Sequence, residues 1–420
     1  MDVLVVGGGG REHALIRKIK ENPRVRTLYA LPGNGGIAQD AVCVPIAATD
    51  IDAMVAFARE KAIDFAVVAP DDPLALGAVD ALHAAGIRCF GPEKAAARIE
   101  SSKSFAKALM RAHHIPTAAW AVFDREEDAL AHVRAGRFPV VIKADGLALG
   151  KGVVIAQDLG EAENALRAMM REGAFGRSGR RVVVEEFLTG PEVSVLAFTD
   201  GNTVRPMVAS MDHKRALDGD RGPNTGGMGV IAPNPFYTPD IAERCMREIF
   251  EPTVRALREM GCPFKGCLYF GLMLTADGPK VIEYNCRFGD PEAQAVLALL
   301  QSDLLTILEA VEDERLAEAE VRFSRDASCC VMIVSGGYPG AYAKGVPVHI
   351  DPLPEDVCLL HSGTAEKDGG LVTAGGRVLG VVATAPTLSQ AVRRAYDAAP
   401  CVRFDGAFYR RDIGRRAQEA

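Results

Sequence analysis

The chain has 420 residues, of which 48% are hydrophobic and 25% charged, the composition of an ordinary globular protein. Its 48 basic and 55 acidic side chains leave a net charge of -7, which argues against a nucleic-acid partner and requires any anion site to be local. No apolar run reaches the length of a membrane span, and the glycines at 7–10 interrupt the N-terminal run too early for a signal peptide. Ten cysteines without a C-x-x-C pair indicate reduced thiols, so we expect a cytoplasmic chain. At 420 residues it is too long for one hydrophobic core, and we expect two to four domains.

The first hundred residues alternate strand and helix patterns, which predicts a parallel sheet. The glycines at 7–10 follow the first strand and open a helix, as in a dinucleotide fingerprint, but Glu12 stands where that fingerprint needs its third glycine. We therefore predict a smaller phosphate there, held by Gly9, Gly10, the helix N-terminus and Arg11, with the loop at 32–36 closing the same crevice. The predicted strands are 2–6, 27–30, 41–44, 65–69 and 87–90.

A glycine-rich loop at 146–152 separates two β-branched runs. Glycines let several backbone amides point at one anion, and Lys143 and Lys151 supply countercharge, so the loop predicts a phosphate cradle. It is not a Walker loop, because only three residues separate Gly146 from Gly150 and a strand follows where a helix is required. The surrounding unit at 119–186 reads strand–helix–strand–strand–helix–strand, so the phosphates are predicted to lie beneath a hairpin flap.

The elements on either side of this unit are predicted from periodicity and turn residues. They are a helix at 101–112, antiparallel strands at 193–199 and 204–211, a polar loop at 212–229, a helix at 240–260, strands at 266–275 and 280–286, and a final segment from 328 with a helix near 388–395. Loops as long as 212–229 are usually functional.

The strand that ends near 287 carries the second chemical motif. A period of two places Glu283, Asn285 and Arg287 on one face and sends residues 282, 284 and 286 (Ile, Tyr and Cys) to the other. A carboxylate and a carboxamide two residues apart suit a hard cation such as Mg²⁺ beside nucleotide phosphates. Arg287 can neutralise the charge of a transferring phosphoryl group.

Glu185 and Glu186 end an apolar run, and alternation sends their side chains to opposite faces. At most one of them points into a given cleft, where it could bind a ribose hydroxyl or an adenine amino group. A solvated strand end is the alternative interpretation of this pair.

With these motifs in this order, the chain resembles the phosphoribosylamine–glycine ligases of the ATP-grasp superfamily. The resemblance is carried by residues 9–14, 32–34, 143–148, 150–153, 212–215, 222–229 and 283–292. It implies an α/β fold, α+β in part. Its implied units are an N-terminal parallel-sheet domain (1–100), a central ATP-grasp domain (101–118 and 191–325), an ATP-grasp lid (119–190) and a small C-terminal mixed β/α domain (326–420). The chain departs from the family at Asp71, where Glu is usual, and at Ser362, within a segment that usually reads His-Ala-Gly-Thr.

The resemblance also implies ATP-dependent joining of glycine to 5-phosphoribosylamine in purine biosynthesis, by a monomer that needs no nucleic acid or membrane. The implied ATP-binding residues are Lys103, Lys143, Gly150, Lys151, Gly152, Glu185, Glu186, Leu188 and Glu192. The implied substrate-binding residues are Gly9, Gly10, Arg11, Glu12, Asn34, Asp212, Asn224, Arg287, Gly289, Asp290 and Pro291. Catalytic roles are implied for Arg287, Lys143 and Asp212, and binding of Mg²⁺ or Mn²⁺ for Glu283 and Asn285.

Three alternatives stay open at this stage. One is a carboxylase-type or formate-using ligase with the same ATP machinery, against which the loops at 212–215 and 224–229 argue. The second is an NAD-linked oxidoreductase, which the N-terminal glycines favour but Glu12 and the flap do not. The third is a non-catalytic nucleotide-binding regulator, which would have no need for Glu283, Asn285 and Arg287 on one face.

Overall fold

The computed structural model describes residues 1–148 and 152–419. Five parallel strands form the N-terminal sheet in the order β3-β2-β1-β4-β5, and β1 is buried along its whole length, as expected of a central strand covered on both faces. The predicted parallel sheet is therefore confirmed. Its elements are β1 (Asp2–Gly7), α1 (Gly10–Lys20), β2 (Thr27–Pro32), β3 (Val42–Cys43), α2 (Ile51–Glu60), β4 (Phe65–Val68), α3 (Asp71–Leu76), α4 (Ala78–Ala84) and β5 (Arg88–Phe90).

Two helices and a separate antiparallel sheet follow. Ser102 caps the second helix by accepting a hydrogen bond from the N–H of Phe105 at 3.3 Å. The sheet has the order β6-β9-β7-β8 and contains the predicted flap strands, with Lys143 opposite Val153. The flap residues Gly150 and Lys151 lie outside the described residues. The elements are α5 (Lys94–Ser101), α6 (Lys103–Ala112), β6 (Trp120–Phe123), α7 (Glu126–Ala135), β7 (Val140–Ala144), β8 (Val153–Ala156), α8 (Leu159–Leu166) and β9 (Val182–Glu186).

The next segment builds a four-stranded sheet of order β11-β10-β16-β17. The strand predicted at 204–211 is wrong as a single element, because Pro206 has no N–H to continue the ladder and the chain then enters another sheet at Met211. The predicted loop at 212–229 contains a hairpin. The elements are β10 (Glu192–Asp200), β11 (Val204–Pro206), β12 (Met211–Asp212), β13 (Arg215–Leu217), β14 (Arg221–Asn224), β15 (Gly229–Ala232), α9 (Pro239–Cys245), α10 (Glu251–Glu259), β16 (Lys265–Thr275), β17 (Gly278–Asn285), α11 (Glu292–Ala298) and α12 (Leu304–Glu312).

The predicted helix at 240–260 is helical throughout, with a π-helical turn at Met246–Phe250 between α9 and α10. The C-terminal segment completes a sheet of order β12-β15-β18-β23-β20, so residues 211–232 and 327–385 share one sheet. Its elements are β18 (Ala327–Val334), β19 (His349–Ile350), β20 (Val357–His361), β21 (Thr364–Lys367), β22 (Gly370–Thr373), β23 (Arg377–Ala385), α13 (Leu388–Ala398), β24 (Val402–Arg403) and α14 (Arg415–Gln418).

The cores show which parts of the molecule are held together. One apolar core runs from Leu15 on α1 through Met228 to Val381 on β23, so the N-terminal and C-terminal sheets pack into one body. The β6–β9 sheet has its own small core around Ile142, Leu166 and Val184. A separate core is what a lid needs in order to move as a unit. Within the described ranges, no helix is both long and apolar enough to span a bilayer.

Candidate active site

A cleft of about 1230 Å³ opens between the β6–β9 sheet, strand β17 and the C-terminal segment. Its wall brings together residues that the sequence analysis selected from distant parts of the chain. These are Arg11, Lys103, Lys143, Gly152, Glu185, Glu186, Leu188, Glu192, Asp212, Asn224, Glu283, Asn285, Arg287 and Asp290. Most of the motifs therefore meet in one place. The described residues that were predicted for the site but are not part of this wall are Gly9, Gly10, Glu12, Asn34, Gly289 and Pro291.

Strand β17 presents Glu283, Asn285 and Arg287 to the cleft, as its alternation predicts. Tyr284 is only 3% exposed, although it also borders the cleft. The prediction was wrong for Ile282, which also lines the cleft. Val281 pairs with Leu272 and Glu283 with Gly271, so Ile282 is the extra residue of a β-bulge, which breaks the alternation at that point.

Glu283 lies among lysines. The Nζ atom of Lys214 is 3.7 Å from its Oε1 atom. Burial opposes the ionised form, but Lys214, Lys143 and Lys103 outweigh it and lower the pKa of Glu283. An ionised carboxylate next to the carboxamide of Asn285 is the donor set that a divalent cation takes together with phosphate oxygens.

Glu185 is the centre of a buried ionic cluster. Its Oε2 atom accepts a hydrogen bond from Lys107 Nζ at 2.8 Å, and Lys143 Nζ lies 3.0 Å from Oε1 but off the hydrogen-bonding direction. Lys143 instead donates to the carbonyl of Ile282 at 2.8 Å. The three charged side chains are only 2–3% exposed. Sequence reasoning missed Lys107, although its position one turn after Lys103 puts both on one helical face.

Lys103 joins helix α6 to the start of the flap. Its Nζ atom donates to the carbonyl of Gly146 at 3.1 Å, and its N–H donates to the carbonyl of Asp145 at 2.9 Å. Burial, reinforced by repulsion from Lys143, lowers the pKa of Lys103. Gly152 is required where the flap returns, because a Cβ atom there would lie 2.6 Å from that of Ala148.

Glu186 and Glu192 are exposed at the edge of the cleft, unlike Glu185. Glu186 Oε1 accepts the N–H of Ala119 at 2.9 Å, and Lys214 Nζ donates to Glu192 Oε2 at 3.3 Å. Leu188 follows β9 and adds apolar surface to the cleft.

Arg287 is fixed from behind by a residue that sequence reasoning missed. Its Nη2 atom donates to Glu100 Oε1 at 3.0 Å, while Glu100 Oε2 accepts the N–H of Cys286 at 2.7 Å. Burial opposes the charge, but Glu100, Asp71 and the other anionic groups nearby together outweigh burial and raise the pKa of Arg287. The buried Nε atom of Arg287 has no partner among the described residues. The guanidinium is thus charged, held in position and able to take a further acceptor.

Asp212 and Asp290 differ in their surroundings. Burial, and then repulsion from Glu292, raises the pKa of Asp212 well above its usual range, and its buried Oδ1 atom has no partner within the described ranges. Asp290 accepts from Gln294 at 2.7 Å and lies 3.2 Å from Arg377. Burial opposes its ionised form, but Arg377, Arg11 and the Gln294 hydrogen bond together outweigh burial and lower the pKa of Asp290. Arg377 comes from β23 and was also missed.

The neighbouring predicted contacts shape this part of the wall. Asn224 ends β14 and pairs with Arg215 of the hairpin. Gly289 leaves room for Glu292, because a Cβ atom there would lie 2.3 Å from the Glu292 carboxylate. The Asp290–Pro291 peptide bond is cis.

The predicted residues at the start of α1 lie against the segment that follows β17, where Arg11 Nη1 donates to the carbonyl of Phe288 at 3.1 Å. Glu12 accepts from the N–H of Gly9 and from Arg11 Nε, both at 2.6 Å, so it closes the first turn of α1. Asn34 donates to the carbonyls of Gly8 and of the β20 strand end, at 2.9 and 2.8 Å. The side chains of Glu12 and Asn34 thus hold loops, while the Gly10 backbone faces Gln294 closely enough that a Cβ atom would clash.

Three family models match consecutive parts of the chain: the N domain of phosphoribosylglycinamide synthetase over residues 1–100, its ATP-grasp (A) domain over 101–293 and its C domain over 328–416. The phosphoribosylamine–glycine ligases of Vibrio vulnificus (strain YJ016) and Brucella melitensis are 50% and 48% identical to it. These matches cover 99% and 100% of this chain, and 98% and 99% of the relatives.

Solved structures agree with this match. The phosphoribosylamine–glycine ligase of Thermotoga maritima superimposes with a TM-score of 0.87 at 34% identity, over 98% of this chain and 100% of the other. The biotin carboxylase domain of the Hydrogenobacter thermophilus 2-oxoglutarate carboxylase shares the fold alone, with a TM-score of 0.73 and 18% identity over 97% and 91% of the two chains. From end to end, this chain belongs to the phosphoribosylamine–glycine ligase family, whose central domain is an ATP-grasp domain.

Proposed function

We propose that the cleft joins glycine to 5-phosphoribosylamine with cleavage of ATP, through a glycyl phosphate intermediate. The observation that carries the proposal is the alignment of Glu283, Asn285 and Arg287 on one wall of the cleft that Lys103 and Lys143 also line. A polyanion can be held from both sides there, with its reacting end next to a fixed guanidinium.

In the first step, a carboxylate oxygen of glycine attacks the γ-phosphorus of ATP and ADP leaves. The protein has little covalent work to do, so catalysis consists of alignment and charge neutralisation. Lys143 and Arg287 are the cations that we assign to the transferring group. Arg287 suits this role because Glu100 fixes its Nη2 end while its Nε atom stays without a partner among the described residues.

In the second step, the amine of phosphoribosylamine attacks the acyl carbon, the C–O bond to phosphate breaks, and inorganic phosphate leaves. The amine must lose a proton as the amide forms. We assign that proton to Asp212, because its buried Oδ1 atom faces the cleft without a partner among the described residues and can accept a proton whenever the carboxylate is ionised. Water would hydrolyse the acyl phosphate, so closure of the β6–β9 sheet over the cleft serves to exclude it.

Glu283 and Asn285 are the residues that we expect to hold a divalent cation, Mg²⁺ or Mn²⁺. The donor set fits, because both supply oxygen and the lysines around Glu283 keep its carboxylate ionised. When bound, such a cation supplies charge neutralisation for the nucleotide phosphates.

The substrates are assigned to the two ends of the N-terminal crevice. The Gly10 amide in the first turn of α1, with Arg11, is suited to the phosphate of phosphoribosylamine, while the Gly9 amide already donates to Glu12 and only shapes the turn. Glycine is assigned to the segment at 287–292, next to Arg287. Because Glu12 and Asn34 already bond to neighbouring groups, we give them the indirect role of shaping this crevice.

Oxygen-18 in the carboxylate of glycine tests the intermediate directly. Attack by that carboxylate places one of its oxygens on phosphorus, so one labelled oxygen should appear in the inorganic phosphate after amide formation. Mass spectrometry of the phosphate reads this out, and release of ADP should require glycine and phosphoribosylamine together. Unlabelled phosphate from a working enzyme would exclude glycyl phosphate, whereas bicarbonate-dependent ADP release without glycine would favour the carboxylase-type alternative.

A further inference from the structure

A buried lysine stands behind the nucleotide side of the cleft and has no part in the reaction proposed above. Lys107 lies on α6 at 2% exposure, and its Nζ atom donates to Glu185 Oε2 and to Thr117 Oγ1, both at 2.8 Å. A lysine this deeply buried is rare unless its charge is paired. We therefore expect a function of Lys107 that requires its charge and its hydrogen bonds.

The bonds of Lys107 connect three elements that must be aligned around a nucleotide. Glu185 belongs to strand β9 of the β6–β9 sheet, and Lys107 belongs to helix α6. Thr117 donates in turn to the carbonyl of Val281 at 2.7 Å, which is on strand β17. Lys143, from β7, reaches the next carbonyl on that strand, at Ile282. The two accepting carbonyls belong to the two residues that immediately precede Glu283.

The charges of the cluster define what Lys107 can do. Glu185 has one carboxylate for two ammonium groups, and it accepts a hydrogen bond from Lys107 but none from Lys143. Lys107 bonds the Oε2 atom, while Lys143 approaches the Oε1 atom at 3.0 Å without a hydrogen bond and donates to Ile282 instead. Without Lys107, Lys143 would be the nearest cation to an otherwise unpaired buried carboxylate and would be drawn toward it.

We propose that Lys107 is a positioning residue for the nucleotide: it holds Glu185 in place, so that this carboxylate does not draw Lys143 away from phosphate. The inference rests on the proposed function only in taking this end of the cleft as the ATP site. Lys107 acts through Glu185, so its effect should appear in ATP binding and should depend on the presence of that carboxylate.

The test uses calorimetry on the full chain to measure the dissociation constant of the complex between ATP and the protein. Mg²⁺ is present, and glycine and phosphoribosylamine are left out. Lys107→Met should raise this constant at least roughly tenfold, since it unpairs a buried carboxylate, and Lys107→Arg should recover most of the loss. The matched control is Lys94→Met, at an exposed lysine of α5, which should bind as wild type. In steady state, Lys107→Met should raise the KM for ATP more than it lowers kcat.

A double variant separates positioning from a general structural effect. If Lys107 acts through Glu185, then adding Lys107→Met to Glu185→Gln should weaken ATP binding little beyond Glu185→Gln alone. The double variant also removes both buried charges, so it remains informative if Lys107→Met does not fold. Unchanged ATP affinity in Lys107→Met, or fully additive losses in the double variant, would overturn the inference. A wild-type chain that binds ATP but forms no product would instead refute the proposed function alone.

Discussion

A buried histidine between the N-terminal and C-terminal sheets should make stability depend on pH. His13, on α1, is 1% exposed. Its Nδ1 atom accepts the N–H of His361 at 2.8 Å, and its Nε2 atom lies 3.1 Å from Asp40 Oδ2. The backbone donor leaves no room for a proton on Nδ1, so the ring is neutral with its proton on Nε2.

The pKa of this ring gives the size of the effect. Burial, with repulsion from Arg17, lowers the pKa of His13 to about 4 from its ordinary 6.5, although Asp40 opposes the shift. Between these two values the unfolded chain binds a proton that the folded chain does not, so stability is complete above pH 6.5 and falls as the pH decreases toward 4. From pH 7.5 to pH 5, linkage gives a loss of about 2 kcal/mol from His13.

The perturbation is His13→Asn, whose Oδ1 atom can still accept the N–H of His361. Urea unfolding of wild type and variant at pH 7.5 and pH 5 provides the measurement. Wild type should be the more stable at pH 7.5, and the difference should shrink by about 2 kcal/mol at pH 5. His349→Asn, at an exposed ring on β19, is the control and should show an unchanged difference. An equal difference at both values of pH for His13→Asn would refute the reasoning.

Two further predictions concern the cleft. Glu283→Gln keeps the shape of the side chain but removes the charge, so ADP release at saturating ATP should fall on the order of 10²-fold. The concentration of Mg²⁺ or Mn²⁺ needed for the half-maximal rate should rise. An unchanged metal requirement would show that Glu283 is not part of the metal site. Gly227→Ala should destabilise the fold, because the φ of Gly227 is +111° and a Cβ atom would lie 2.4 Å from Pro291 Cδ. Gly86→Ala, with positive φ but open space around it, isolates the backbone cost, and the thermal midpoint should fall less for Gly86→Ala than for Gly227→Ala.

The local chemistry of the site could be predicted where it depends on one strand. The alternation that aligns Glu283 with Asn285 is a property of β17 itself, and the flap strands follow from two β-branched runs around a glycine loop. The exposure of Ile282 could not be predicted in this way. A bulge arises from the pairing of two strands, and β17 alone does not show which residue β16 leaves unpaired.

The missed residues share another physical reason. Lys107, Glu100 and Arg377 act through contacts with partners far away in the chain, at Glu185, Arg287 and Asp290. Taken alone, each is a charged residue on a helix or at a strand end, and such residues are most often solvated. Only the packing of α5, α6 and β23 against the cleft turns them inward. Sequence reasoning therefore found the side chains that face the cleft more readily than the residues that fix those side chains in place.

The lysine cluster at the end of the cleft that we assign to the nucleotide lowers the stability of the folded protein. Lys103 and Lys107 are both buried, and Lys143 lowers the pKa of each by repulsion, in addition to the effect of burial. Glu283 and Glu185 offset part of this repulsion in the free protein. On the proposed function, a triphosphate between the lysines would relieve the remainder, which would add to the free energy of binding. The net charge of -7 on the whole chain sharpens the contrast, because the anion is attracted by a local cluster inside an otherwise acidic molecule.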